Sequence, residues 1–205
     1  MTTQGAAHGE SWPVELMNTV RAGRQGVQDT LDDPEQAAAW LERAGLGLGG
    51  AVLGPMGPPG PLDIDVLQRL RTLRDALRRL AAEATADDRT TWTSPVGHVD
   101  EAVAVVNAAA AAAPTWAALD RDADGGLVRV ARSAASPALA VVGMLAERAV
   151  DLFTDPEGLR ACRAPGCVLY FVKAHPRQEW CSTGCGNRAR VARHYRRHHH
   201  GDQFE

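Results

Sequence analysis

Four cysteines constrain the fold of this chain more than any other feature, because they lie in two close pairs. Four residues separate Cys162 from Cys167, three separate Cys181 from Cys185, and thirteen connect the pairs. Each pair is close enough to hold one ion, and four thiolates complete a tetrahedral site with no position open for a substrate. The spacing therefore predicts one structural zinc ion bound by all four cysteines.

Two alternatives compete with the zinc site. Iron also binds thiolates, and zinc is preferred because nothing in the sequence indicates redox chemistry. Four unrelated buried cysteines would have no reason to cluster in two pairs. In a reducing compartment, clustered cysteines are also more typical of a metal site than of disulfides.

The residues around the cysteines predict a small zinc-binding module. Pro165-Gly166 is a turn that can curl the backbone around the first pair, and residues 169–172 form a strand-like run. Ser182 or Thr183 can cap a helix that continues to about residue 200. A knuckle, a hairpin and a helix in this order predict a treble-clef-like zinc finger.

Helical periodicity dominates the chain before the cysteines. Only ten residues are aromatic (Phe 3, Tyr 2, Trp 5), so the core must consist largely of Ala, Leu and Val on helices. We therefore expect a mainly α fold with one small β-hairpin in its N-terminal part. The predicted helices cover about 15–25, 34–44, 62–86, 102–113 and 137–153, and the predicted hairpin joins 115–119 to 127–131.

Composition divides the chain into three parts. Residues 1–11 read as a flexible tail, 12–158 as a helical regulatory domain and 159–205 as a finger with a basic C-terminal helix. Seven glycines and four prolines within residues 45–61 predict a loop inside the helical domain. The first ten residues carry no Lys, no Arg and no apolar run, and no apolar stretch reaches the roughly 18 residues of a membrane span, so we expect a cytoplasmic protein without membrane contact.

Charge is distributed unevenly between the two larger parts. Residues 1–158 contain 13 basic and 22 acidic residues, a net charge of −9, whereas residues 159–200 contain nine basic residues and one acid, a net charge of +8. We therefore expect different partners for the two parts, with a finger that keeps its fold and its zinc when separated from the acidic domain.

The basic helix supports a nucleic-acid contact. At 100° per residue, Arg190, Arg193 and Arg197 fall within about 60° of one another, while Val191 and Tyr195 lie on a different sector, where the helix would pack on the hairpin. Arginines at this density suit phosphate contacts and guanine recognition. The alternative is that they only solvate the helix or pair with the acidic domain. The arginines of the 62–86 helix are interpreted as a solvated face.

Both the C-terminal and the N-terminal parts of the chain resemble a known family. Trp180-Cys181-Ser182, followed by Cys185-Gly186-Asn187-Arg188-Ala189-Arg190, is similar to the signature of the CGNR zinc-finger proteins. Residues 17–21, 39–45 and 70–80 resemble the N-terminal domain found with that finger, described as a putative stress-induced transcription regulator. The resemblance implies one zinc ion, DNA binding and a transcriptional role. The expected nucleic-acid-binding residues are Asn187, Arg188, Arg190, Arg193 and Arg197.

The sequence thus predicts a zinc-dependent, DNA-binding transcriptional regulator of a bacterial-type cytoplasm, whose acidic domain responds to a small-molecule or protein effector. A zinc module that binds RNA or protein is the first alternative. An enzyme in the N-terminal domain is the second, and it is disfavoured because the chain contains no HExxH or Walker motif. No expectation is formed for the DNA sequence or the oligomeric state.

Overall fold

The computed structural model describes residues 11–23, 26–44, 46 and 62–199. The predicted tail and the predicted 45–61 loop lie outside these residues, except for Ser11 and Leu46. In chain order the elements are α1 (Trp12–Met17), β1 (Val20–Gly23), β2 (Gly26–Asp29), a 3-10 turn (Thr30–Asp32), α2 (Pro34–Arg43), α3 (Ile64–Ala84), α4 (Val99–Ala112), β3 (Thr115–Arg121), β4 (Leu127–Ser133), α5 (Pro137–Thr154), β5 (Leu159–Ala161), β6 (Tyr170–Val172) and α6 (Thr183–His199).

The predicted first helix is wrong beyond its first turns. The helix α1 ends at Met17, and β1 and β2 pair as an antiparallel hairpin in place of the expected helix over 15–25. Gly26, the first residue of β2, has φ +106°, a conformation that glycine adopts without strain. Apolar residues at helical spacing mislead here because the helix ends in a turn over Asn18 and Thr19, where the Thr19 hydroxyl donates to the Leu16 carbonyl.

Helices α3, α4 and α5 form the main core, and the mainly α prediction is confirmed. Asp33 caps α2 with Pro34 at its first position, as expected. A Cβ on Gly143 of α5 would lie 2.3 Å from the Ala113 carbonyl oxygen, so a side chain is excluded where α5 meets the end of α4. Asn107 of α4 is exposed.

Four of the five arginines of α3 are partly or fully buried, which contradicts the solvated face that the sequence suggests, and Arg69 is exposed. Arg74 and Arg78 are buried, with only 4% and 2% of their surface exposed. Arg74 pairs with Asp29 of β2, and Arg71 donates to the carbonyl oxygen of Leu31. Elements distant in sequence cover this side of α3, so its guanidinium groups serve as internal hydrogen-bond donors.

The structure contains three two-stranded antiparallel hairpins within its described residues, where one was expected in the N-terminal part and one in the finger. The predicted β3–β4 hairpin is confirmed, with Thr115 paired to Ser133 and Arg121 to Leu127. The β5–β6 hairpin belongs to the cysteine-rich part. No described helix is long and apolar enough to cross a bilayer.

The β5–β6 hairpin packs into the same core as the N-terminal helices. Leu159, Ala161 and Tyr170 are buried in one cluster with residues of α1, α3 and α5. The cysteines lie in a second, smaller cluster that contains Phe171 and Ala164. The cysteine-rich part therefore lies directly against the helical part.

Candidate metal centre

The first cysteine pair lies in a tight knuckle. Gly166 has φ +70°, a left-handed conformation that closes the turn predicted at this dipeptide. The Cys167 amide donates to the Ala164 carbonyl at 3.0 Å, and the Cys162 amide donates to the Leu169 carbonyl at 2.9 Å. Both cysteines are buried. The knuckle thus presents two sulfur atoms from one short loop.

The second pair lies at the start of α6. The Ser182 hydroxyl accepts from the Cys185 amide at 3.2 Å and caps the helix, as the sequence predicted. Gly186 packs against Trp180, where an added Cβ would lie 3.1 Å from the ring. The cap and the close indole contact set the direction in which the helix leaves the cysteine cluster.

The four sulfur atoms are arranged for one tetrahedral ion. All lie within 4.8 Å of one another. The Sγ distances are 3.9 Å from Cys167 to Cys181, 3.4 Å from Cys181 to Cys185 and 3.8 Å from Cys185 to Cys167. A zinc ion with bonds of about 2.3 Å needs sulfur atoms about 3.8 Å apart, which these distances match. Cys162, Cys167, Cys181 and Cys185 therefore form the site of one structural zinc ion.

The sulfur atoms lie too close together for all four thiols to ionise without a cation. The hydrogen bond with Cys162 raises the pKa of Cys167 to about 11, and contacts with Cys162 and Cys167 raise the pKa of Cys181. Without a metal ion, these groups hold their protons at neutral pH, because several negative sulfur atoms would lie in contact. A divalent cation removes that repulsion and displaces the protons.

The residues after Cys185 have separate positions. The Arg188 guanidinium donates to the Cys185 sulfur at 3.0 Å, so this side chain lies against the metal centre. Asn187 is exposed, and its side-chain oxygen accepts from Arg190. Arg188, one of the residues expected to bind nucleic acid, therefore contacts the cysteine cluster directly.

The other arginines lie on the outer surface of α6. Arg190, Arg193 and Arg197 are exposed. The buried face of α6 consists of Cys185, Gly186 and Ala189, while Val191 and Tyr195 are 54% and 61% exposed. The expectation that Val191 and Tyr195 pack on the hairpin is therefore wrong, because the small residues allow the closest approach.

A groove of about 700 Å³ runs between α6 and the knuckle. Arg163 and Pro165 line one side, Arg193 and Arg196 line the other, and Trp180 lies between them. Arg196 and Arg163 were not among the expected interface residues. Their basic character was visible in the sequence, but the distance between them along the chain concealed the shared groove.

Polar residues of the helical part hold the finger in place. The Asn18 amide donates to the Tyr170 carbonyl at 2.8 Å and accepts from the Tyr170 amide at 2.9 Å. Arg78 donates to the Met17 carbonyl at 2.7 Å and to the Val168 carbonyl at 2.9 Å. Its guanidinium lies 4.2 Å from the centre of the Trp92 ring.

These junction residues were missed by sequence reasoning. Burial lowers the pKa of Arg78 to about 10, so it remains protonated at neutral pH inside the core. The resemblance over residues 17–21 included Asn18, but its hydrogen bonds to Tyr170 could not be read from the chain. Helical periodicity placed Arg78 off the apolar face, which was the reason for assigning it to solvent.

The fold and the thiolate cluster define a zinc-binding protein with a helical N-terminal domain. Residues 10–156 match the model of the ABATE family, described as a putative stress-induced transcription regulator, and residues 159–198 match the CGNR zinc finger. Because the first match spans more than half of the chain, the chain belongs to the ABATE family. The resemblance seen in the sequence is confirmed. Neither description names a catalysed reaction, and a comparison with curated proteins gave no match.

Proposed function

We propose that this chain is a zinc-dependent, DNA-binding transcriptional regulator whose helix α6 contacts DNA. The exposed arginines of α6 carry the proposal, because none of them pairs with a carboxylate among the described residues. Exposed, unpaired guanidinium groups along one helix suit a row of phosphates. Both matched family descriptions fit this role.

Neutralisation by the acidic domain is the alternative explanation for the arginines. Several acids of that domain pair instead with its own arginines, as in Asp29 with Arg74 and Asp120 with Arg132. Among the described residues, only the Arg163–Asp88 ion pair joins an acid of that domain to the finger, and it lies outside α6. The basic charge of α6 is therefore available to an external partner.

The zinc ion has a structural role in this proposal. The knuckle lies between β5 and β6, and the ion would join it to the first turn of α6. Four thiolates leave no position on the ion for a substrate, so the proposal contains no catalytic step. A regulator that contacts the chromosome acts in the cytoplasm of a bacterial-type cell.

Binding to labelled nucleic acids tests the proposal. The zinc-loaded chain is titrated into a fluorescent 30-base-pair duplex of mixed sequence and into an RNA of the same sequence, over a series of salt concentrations. We expect duplex binding that weakens linearly in log–log form, by about 0.9 per phosphate contact. Binding to the RNA alone would support the RNA alternative. Binding to neither nucleic acid would contradict the proposal and leave the protein-binding alternative. In that case, DNA recovered with the protein from cells would show no enriched sequences.

We propose that the effector of the helical domain binds in a cleft of about 560 Å³ beside the metal centre. Glu15 and Arg43 line it from the helical domain, and Cys181 and Ser182 line it from the finger. Burial raises the pKa of Glu15, and no described residue forms an ion pair with Glu15 or Arg43. A small molecule with an anionic group and a hydrogen-bond donor suits this pair, and it would contact both parts of the chain.

Free amino acids are suitable probes for the cleft, because each joins a carboxylate to an ammonium group. We expect at least one of the twenty to raise the melting temperature of the chain, and Glu15→Gln and Arg43→Gln to abolish that response. Glu42→Gln, an exposed neighbour that does not line the cleft, is the control. If no amino acid stabilises the chain, or if the cleft variants respond like the control, the assignment of this effector class is wrong.

A further inference from the structure

One arginine of the helical domain contacts the backbone of the zinc knuckle. Arg89 follows α3, and its Nη1 atom donates to three carbonyl oxygens, those of Cys162 and Cys167 at 3.1 Å and that of Leu169 at 3.0 Å. Two of these carbonyls belong to metal ligands. The side chain of Arg89 is 12% exposed, so these bonds are largely shielded from water.

The position of Arg89 is itself held by a hydrogen-bonded pair. Asp87 accepts from Arg89 Nε at 2.7 Å and from Nη2 at 2.6 Å, which is the two-point geometry of a strong ion pair. The Tyr170 hydroxyl donates to the same carboxylate at 2.7 Å. Burial opposes ionisation of Asp87, but the hydrogen bonds from Arg89 and Tyr170 outweigh it and lower the pKa of the carboxyl.

The turn that presents this pair has a strained backbone. Ala86 has φ +45°, a left-handed conformation that is unfavourable for a residue with a Cβ. Its carbonyl oxygen accepts from Arg163 of the knuckle at 2.9 Å, and Asp88 pairs with the same arginine. Residues 86–89 therefore meet the finger through four consecutive positions.

The contacts of Arg89 bear on metal binding because of where the knuckle's peptide groups point. The backbone amides of Ala164 and Leu169 donate hydrogen bonds to the sulfur atoms of Cys162 and Cys167. The carbonyls of Cys162, Cys167 and Leu169 point instead to Arg89. One guanidinium thus fixes the carbonyl oxygens of a loop whose sulfur atoms face the metal site.

We propose that Arg89 is a positioning residue of the metal centre, supplied by the helical domain, and that it links zinc affinity to the stability of that domain. The inference does not depend on DNA binding. By thermodynamic reciprocity, a contact that strengthens zinc binding is strengthened by zinc to the same extent. The helical domain and the finger then form one cooperative unit, which replaces the expectation of a finger that is fully independent.

Zinc affinity of the full chain tests the proposal. Zinc dissociation constants are measured by chelator competition for Arg89→Met, Arg89→Lys and the control Arg148→Met, which removes an exposed arginine of α5. We expect a 10- to 100-fold loss of affinity for Arg89→Met, the range typical of groups that orient metal ligands. Lysine keeps the positive charge but lacks the several N–H donors of a guanidinium. The zinc affinity of Arg89→Lys should therefore lie between those of Arg89→Met and the natural chain. The control should stay within about twofold of the natural chain.

The absorption spectrum of the Co²⁺-substituted chain is a second readout. A change in overall stability alone does not alter this spectrum. We expect the thiolate-to-cobalt bands of Arg89→Met to change at saturating metal, because the knuckle relaxes around the ion. An unchanged zinc affinity and an unchanged cobalt spectrum in a folded Arg89→Met chain would overturn the proposal.

Hydrogen exchange of the natural chain decides the question if the variant does not fold. Zinc is removed with a chelator, and exchange is compared with that of the loaded chain. We expect faster exchange in the finger and also at residues 86–89 and at the end of α1, where the Asn18 side chain donates to the Tyr170 carbonyl. Changes confined to residues 159–199 would show that the helical domain does not sense the metal and would overturn the linkage.

Discussion

Helices α3 and α6 each carry five arginines, yet the structure uses them in opposite ways. In α3, Arg74 and Arg78 are buried and donate to carboxylate or carbonyl oxygens of other elements. In α6, Arg193 and Arg197 are exposed and have no ion pair among the described residues. Arginine content therefore does not identify a nucleic-acid surface; the surroundings of each guanidinium do.

The difference follows from what covers each helix. The elements α1, α4, α5 and β5 pack around α3, and the polar backbone of their ends needs donors inside the core. A long, planar guanidinium satisfies two carbonyls at once. Helix α6 is the last element described and contacts the rest of the chain through its small residues, so its arginines extend into solvent.

The largest effect is expected from replacing a buried arginine of α3. Arg78→Met should lower the free energy of unfolding by about 3 kcal/mol, because the carbonyls of Met17 and Val168 lose their donor and stay buried. Arg69→Met, at an exposed position of the same helix, should change it by less than about 0.5 kcal/mol. Urea unfolding of the zinc-loaded chains measures both. Equal stabilities would contradict a structural role for Arg78.

A smaller effect, on binding and not on folding, is expected from α6. Replacing Arg190, Arg193 and Arg197 by Ala should reduce the salt dependence of duplex DNA binding by about 2.7 in log–log slope, because each phosphate that is no longer neutralised removes roughly 0.9. The matched control replaces three exposed arginines elsewhere, Arg69, Arg129 and Arg148, so that the net charge changes equally.

The outcome of this pair of triple variants separates local contact from overall charge. An unchanged slope in the α6 variant would show that these arginines do not touch phosphates. A slope that falls equally in the control would show that only net charge matters. A change of sequence preference at constant slope would indicate base contacts instead.

The smallest effect concerns the proton of Tyr170, which lies between the buried arginines. Burial, followed by the hydrogen bond to Asp87, raises the pKa of Tyr170 to about 12 from an ordinary value of about 10. Between about pH 10 and pH 12, the folded chain keeps this proton, whereas the unfolded chain loses it. The contribution of Tyr170 to stability is therefore fully present below about pH 10 and decreases as the pH rises towards 12, by about 1.4 kcal/mol at pH 11.

Tyrosinate absorbance measures this pKa directly. The chain has two tyrosines, so Tyr195→Phe leaves Tyr170 as the only one that titrates. We expect a midpoint near pH 12 in the folded, zinc-loaded chain. A midpoint near pH 10 before unfolding would mean that Tyr170 is not enclosed by Asp87 and the arginines.

The metal ligands and the regular helices could be predicted from the chain because their signals are local. Two cysteines within a few residues of each other can share one ion in almost any fold, and an N-cap such as Asp33 acts within its own helix. The turn at Gly166 is local in the same sense. Spacing and residue type are sufficient wherever the partners are neighbours in sequence.

The roles of the arginines depended on contacts between distant residues. The acceptors of Arg78 lie 61 and 90 residues away, and those of Arg89 lie 73 to 80 residues away. An arginine at a given position of the helical pattern can extend into solvent or reach a buried carbonyl, and the pattern does not distinguish the two. Only the packing of α1 and the finger against α3 places the carbonyls there, because a buried backbone oxygen must find a donor and these arginines are the donors within reach.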